Sequence, residues 1–215
     1  MTTPANPSID PANYDSLTGA FRFIFKKLLQ STDGMLPAQV VQYDRTENQV
    51  QVQPLIKMVD TNGQQIRRAQ IASIPVFQIG GGGFLLNFNL KPGDLGWIKA
   101  NDRDISLFQQ FFTESPPNTY RIKNFADSVF FPHVMTGYTI DPEDAENAVL
   151  QSLDGTVKIS FGTGIIKIAA PIVDIEATTA NITATTVNII AATNITGNLF
   201  VDGNIEATGT ITPGV

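Results

Sequence analysis

The chain has 215 residues, a net charge of −6, 42% apolar side chains and only 16% charged ones. It has no cysteine, which excludes a disulfide scaffold, a thiolate metal site and a Cys nucleophile. A single histidine, His133, excludes a multi-histidine metal site within one chain, and 14 basic against 20 acidic residues argue against broad electrostatic capture of nucleic acid or anionic lipid.

No stretch reaches the roughly 20 apolar residues that span a bilayer. The opening MTTPANPSIDPANYD lacks the basic and apolar regions of a secretory signal, so synthesis in the cytoplasm is expected. Residues 1–35 read as an arm followed by a helix. The arm is rich in Pro and Asn. Leu17, Ala20, Phe21, Ile24, Phe25 and Leu28 then recur at helical spacing, with Asp15 or Ser16 as N-cap and Arg22, Lys26 and Lys27 toward the far end. Such a helix can pack on its own domain or a neighbouring subunit, or lie on a membrane surface. Asp33-Gly34 ends it.

Residues 36–115 read as short strands. Leu36 to Tyr43 is the first. Gln49-Val50-Gln51-Val52-Gln53 alternates polar and apolar, which gives one wet and one buried face. Asn62-Gly63 is a tight-turn signal before a return strand, Ile66 to Ile74. Gly80 to Gly83 breaks the following run, Phe84 to Phe88 resumes it, and Leu95 to Ala100 is the last strand after the turn Lys91-Pro92-Gly93-Asp94. Strands this short and this closely spaced predict a small closed barrel of the OB type. Residues 116–150, with Pro116-Pro117 and the acidic run from Asp141 to Glu146, read as a connector.

Residues 151–215 form a tail of a different kind. From Val173 onward there are ten threonines, five asparagines, no Lys or Arg, and one aromatic, Phe200. Asn-Ile recurs at Asn181, Asn188, Asn194 and Asn204, which marks an internal repeat of short strands. Each strand has a thin stripe of small β-branched residues on one face and Thr or Asn on the other. A lone ribbon of this kind cannot bury its stripe. Three ribbons about a common axis can, so a trimeric β-prism is expected, with Ile175, Ile182, Ile189, Ile195, Val201, Ile205 and Ile211 in its core. At about 4.8 Å per strand, about seven strands give very roughly 35 Å of rod. Thr, Asn and Gly richness argues against a coiled coil, and the alternation argues against a disordered linker.

Catalytic and ligand signals are weak. Gly80 to Gly83 lacks the Lys-Ser/Thr of a phosphate loop, and a loop or bulge allowing close chain approach fits better. Asp94, Asp102, Asp104 and Glu114 could supply a carboxylate pair for glycoside hydrolysis, but Asp102-Arg103-Asp104 reads more simply as an ion-paired turn. His133 has no ligand-spaced partner and reads as structural or exposed. Phe77, Phe84, Phe88 and Trp97 could stack bases on an OB surface, but the domain is neutral by count and core packing is the preferred assignment. The chain is therefore expected to be no enzyme, to need no cofactor and to bind no nucleic acid.

Several motifs occur in order: Met35-Leu36-Pro37-Ala38-Gln39-Val40-Val41-Gln42-Tyr43-Asp44, Val52-Gln53-Pro54-Leu55-Ile56, Ser73-Ile74-Pro75-Val76-Phe77-Gln78 with the four glycines, and Leu90-Lys91-Pro92-Gly93-Asp94-Leu95-Gly96-Trp97-Ile98-Lys99-Ala100 continuing to Ile105. From about Ser16 to Leu153 the chain resembles the central spike proteins of contractile-tailed bacteriophages and related injection devices. The likeness is to the branch with an OB-fold followed by a trimeric β-helix; the tail shares only its pattern. The resemblance implies a mainly β chain, made in the host cytoplasm and carried in the virion at the tail baseplate. It implies a homotrimer under a tail hub protein, which Phe21, Phe25 and Leu28 would face, that transiently pierces the bacterial outer membrane when the sheath contracts. Relatives often end in a His-X-His pair that binds iron at the tip. Here the end is Thr212, Pro213, Gly214 and Val215, so no tip metal is carried over, and a separate tip-capping protein or a metal-free point is expected. A trimeric receptor- or polysaccharide-binding tail protein is the alternative. It would need an aromatic-lined groove with paired carboxylates, against one aromatic and four acids from Val173 onward (Asp174, Glu176, Asp202 and Glu206).

Overall fold

The computed structural model describes residues 16–60 and 62–209. The predicted arm, Asp15 as a cap, core position Ile211 and the tip residues Thr212, Pro213, Gly214 and Val215 lie outside the described residues. Helix α1 (Leu17–Ser31) starts at Ser16, whose Oγ accepts from the Gly19 N–H at 3.0 Å. That bond satisfies one of the donors that every helix leaves open in its first turn. Thr32 closes the helix, donating its hydroxyl to the Leu29 carbonyl at 2.8 Å. No residue of α1 is buried.

The strands that follow are β1 (Met35–Asp44), β2 (Gln49–Pro54), β3 (Met58–Val59), β4 (Gln65–Ile66), β5 (Ile71–Pro75), β6 (Ile79–Gly81), β7 (Phe84–Leu86), β8 (Leu95–Ala100) and β9 (Ser128–Pro132). Five of them form one antiparallel sheet in the order β5-β2-β1-β8-β9. Register shifts at Val40/Gln42 and at Val50/Val52 put irregularities into the central pairings. Irregularities of this kind bend a sheet and increase its twist. The sheet curls until its two ends meet: Val76, just after β5, bridges Phe130 of β9, and the Phe77 N–H donates to the Phe130 carbonyl at 2.8 Å. The result is an OB-like curled half-barrel.

The alternation read at Gln49–Val52 holds, with Val50 and Val52 fully inside. They pack with Val40, Ile74, Ile98 and Phe130 in one core. The barrel boundary differs from the one read in sequence. Residues 128–132 fall in the expected connector, yet β9 pairs along Gly96–Ala100 and supplies Phe130, among the largest fully buried side chains. Ser128-Val129-Phe130-Phe131-Pro132 is short and set among loop residues, so nothing local marks it as a strand; only the free edge of β8 does. The aromatics also differ. Phe84 is 84% exposed, Phe77 and Phe88 are about half exposed and Trp97 is half-buried, so core packing is not their role within this chain. The interior is filled by Val and Ile side chains, Ala38, Ala100, Phe125 and Phe130. Phe84 sits on a hairpin outside the five-stranded sheet.

The predicted turns form. Gly63 takes φ of 81° between β3 and β4. Gly82 and Gly83 both take positive φ, 59° and 87°, and join β6 to β7 in a two-residue hairpin rather than a bulge. A short helix, α2 (Ser106–Phe111), follows β8. The strands β10 (Ala148–Gln151), β11 (Lys158–Gly162) and β12 (Ile165–Ala169) then form a separate three-stranded antiparallel sheet.

The chain divides after Pro171 into two units. In the second, none of the described residues lies in a strand, where the sequence leads one to expect a series of short ones. A strand is defined by the ladder it makes with a partner, and this stretch carries no interior that would fold it back on itself.

Candidate interaction surfaces

In the second unit the predicted core positions Ile175, Ile182, Ile189, Ile195, Val201 and Ile205 are all exposed, from 42% for Val201 to 80% for Ile175. Apolar side chains repeated at this density without cover are unusual in a soluble chain, where isolated ones are ordinary. At the other end, Phe21, Phe25 and Leu28 of α1 are each more than half exposed. They form one broad apolar face, and Lys27 reaches over the Phe23 ring at 5.5 Å from its centroid.

The first unit also holds two dense polar clusters. The first joins β8, α2 and the loop before β9. Arg121 grips Asp127 with two bonds, Nε to Oδ2 at 3.0 Å and Nη2 to Oδ1 at 2.9 Å, and its Nη2 also lies 3.1 Å from Asp104 Oδ2. Asp104 is buried and accepts from the Thr119 hydroxyl at 2.6 Å and from the Ser106 N–H at 2.9 Å. The Thr119 hydroxyl foremost, then the Ser106 N–H, with Arg121 adding its charge, hold the Asp104 carboxyl well below the usual carboxylate range. The ion-paired turn expected at Asp102-Arg103-Asp104 is therefore a longer-range pairing whose cation is Arg121. No linear spacing marks it, because loop residues bring the partners together.

The second cluster lies on one face of the β10–β12 sheet. Lys158, on β11, is buried and donates to Asp144 Oδ2 and to Asp141 Oδ2, the latter at 2.9 Å. Asp144 Oδ1 accepts from the Ser160 hydroxyl at 2.6 Å and from Asn147 at 3.1 Å. The Lys158 ammonium first, then Ser160 and Asn147, pull the Asp144 carboxyl well below its ordinary value, and Asp144 and Asp141 push Lys158 up. The sequence shows Asp141 to Glu146 only as an acidic run. Lys158 is the cation that turns it into a structural lock.

The carboxylates of Asp104, Asp127 and Asp144 and the Lys158 ammonium are each committed to neighbours, which is the pattern of a fastening rather than of an open reaction centre. Asp94 is occupied separately, accepting from the Lys91 N–H at 2.8 Å to tighten a turn. The His133 Nδ1 accepts from the Trp97 indole N–H at 2.9 Å. Among the described residues, no three His, Asp or Glu side chains converge where a metal ion could be held.

No curated protein matches the chain. Residues 36–133 match the family described as Phage protein Gp138 N-terminal domain. That span opens within β1 and closes one residue after β9, so it coincides with the curled sheet and includes the strand that completes it. The barrel region of this chain is thus similar to an N-terminal domain of phage proteins.

Proposed function

We propose that this chain is the structural central spike at the distal tip of a contractile phage tail. It works as a homotrimer that pierces the bacterial outer membrane on sheath contraction. The observation that carries this reading is a chain with a phage-protein barrel followed by a tail whose apolar stripe, Ile175 to Ile205, has no cover of its own. Two further copies supply cover of the same shape and chemistry, and threonine faces with, from Val173 onward, four acids and no Lys or Arg per chain then form an uncharged-to-anionic exterior that neither lipid nor polyanion grips. Entwined strands resist axial load because many ladder bonds break together rather than in sequence.

In this assembly α1 offers Phe21, Phe25 and Leu28 to the tail hub protein, and Thr212 to Val215 end at the tip or under a separate capping protein. The chemistry is mechanical, so no catalytic residue, nucleic acid or tip iron is invoked. The protein resides in the virion baseplate after synthesis in the host cytoplasm. Light scattering on the purified full-length chain tests the core of the proposal. A three-chain mass that persists in mild detergent is the expected result, and a one-chain mass refutes it. Electron microscopy of the assembled particle with an antibody to the barrel tests the location.

A further inference from the structure

The three-stranded sheet has two unlike faces. In its register Leu150 lies opposite Ile159 and Ile159 opposite Ile168, while Ala148 lies opposite Phe161 and Phe161 opposite Ile166. Side chains directly opposite one another share a face, and residues two apart share it too. One face therefore carries Ala148, Leu150, Ile159, Phe161, Ile166 and Ile168, without a single polar side chain. The other carries Lys158, Ser160 and Lys167, which are tied to Asp144, Asp141 and Glu143. The acidic segment thus covers the polar face from within the chain. The apolar face is open: Phe161 and Leu150 are each 49% exposed, Ile168 61% and Ile166 67%.

We infer that this apolar face is a self-docking surface, occupied by the same face of two further copies, and that it sets the register in which the tails entwine. This rests on the trimeric reading above. The occupant follows from three observations. The face has no charge or hydrogen-bonding side chain, so identical copies meet on it without like-charge repulsion or stranded polar groups. The chain runs from β12 within three residues into the tail, whose apolar stripe needs the same two partners. Six side chains fall short of the ~800 Å² per partner of a standard stable interface, and the tail stripe makes up the remainder.

The register argument comes from the repeat. Ile175, Ile182 and Ile189 are seven apart, so this stretch of the tails can pair one repeat out of step. The sheet face does not repeat. Its two rows, Leu150-Ile159-Ile168 and Ala148-Phe161-Ile166, differ in size, and a shifted copy sets Phe161 against the wrong row. The Lys158–Asp144 lock builds this face within each chain, so it is ready before the tails pair.

Two sets of variants of the full-length protein test the inference. In the first, Ile166→Asp with Ile168→Asp places charges on the open face, while Lys167→Ala alters only the opposite one. The expected result by light scattering is a threefold fall in mass for the double variant and none for Lys167→Ala. Unchanged near-ultraviolet circular dichroism of Trp97 reports that the barrel is still folded. In the second, Phe161→Cys gives a chain with one thiol, because the natural sequence has no cysteine. Around a shared axis mild oxidation should join two of every three chains covalently. A wild-type trimer that survives the double Asp change and leaves Cys at 161 uncrosslinked and open to maleimide overturns this inference alone; some other partner, such as the hub protein or lipid, then owns the face. A wild-type protein of one-chain mass overturns the trimeric reading itself.

Discussion

Phe130 is the side chain on which the barrel closes. It is fully buried opposite Ile98, and Gly96, two residues before Ile98 and paired with Pro132, leaves the space its ring fills: a Cβ added at Gly96 would lie 2.4 Å from Phe130 Cζ and 2.4 Å from the Phe131 carbonyl oxygen. One side of that contact is backbone, so an added methyl cannot be absorbed by a side-chain swing. Phe130→Ala should cost about 3–5 kcal/mol through lost burial and a cavity. Gly96→Ala should cost at least about 1–3 kcal/mol through overpacking. Urea unfolding followed by Trp97 fluorescence measures both, and a change under 1 kcal/mol for either would show that β8 and β9 are not packed as described. The aspartates act at the same scale. Asp104 and Asp144 have carboxyls held below their ordinary values, so the native chain binds fewer protons than the unfolded one. Their contribution is fully present above the unfolded carboxylate value of about 4 and is lost as pH falls below it. Lys158 is shifted upward, so its contribution persists through neutral pH and is lost only in strong alkali. Thr119→Val removes the foremost donor to Asp104 and should move the acid unfolding midpoint to higher pH; an unchanged midpoint would separate Asp104 from acid stability.

At the scale of elements, the helix and the barrel contrast. α1 is properly capped by Ser16 but buries none of its residues, so its apolar face contributes nothing to the stability of the folded unit. Phe25→Ser should leave the urea midpoint of the barrel within about 0.5 kcal/mol of wild type. A larger loss would mean that α1 packs on its own barrel and is not available to a hub. The hairpins show the converse. The sequence marks Gly80 to Gly83 as a loop or bulge that lets chains approach, and the run does break there, as a two-residue turn at Gly82 and Gly83 returning β6 onto β7. The glycines are legible because positive φ is nearly their monopoly. The aromatics beside them are not, because alternation predicts which residues share a face but not whether anything covers it.

For the molecule as a whole, the arrangement is a folded unit with exposed apolar features at α1, on the β10–β12 sheet and along the tail. A monomer with this much uncovered apolar surface would be a poor soluble protein. On the proposed trimeric reading, copies of the same chain cover these features, which is why association state is the measurement that bears on the entire functional reading. The match over residues 36–133 concerns the barrel alone.

Near neighbours along the chain decide the capped helix, the wet and dry faces of β2 and the glycine turns, so these were legible from the residues alone. Each depends on the conformational preferences and period of a few consecutive residues. It took the folded chain to show that 128–132 is the fifth strand, that Arg121 rather than Arg103 neutralises Asp104, that Lys158 locks the acidic run, and that one face of the β10–β12 sheet is left bare. Those features arise when segments far apart in the chain compete for the same edge, the same charge or the same surface, and no local window contains both competitors.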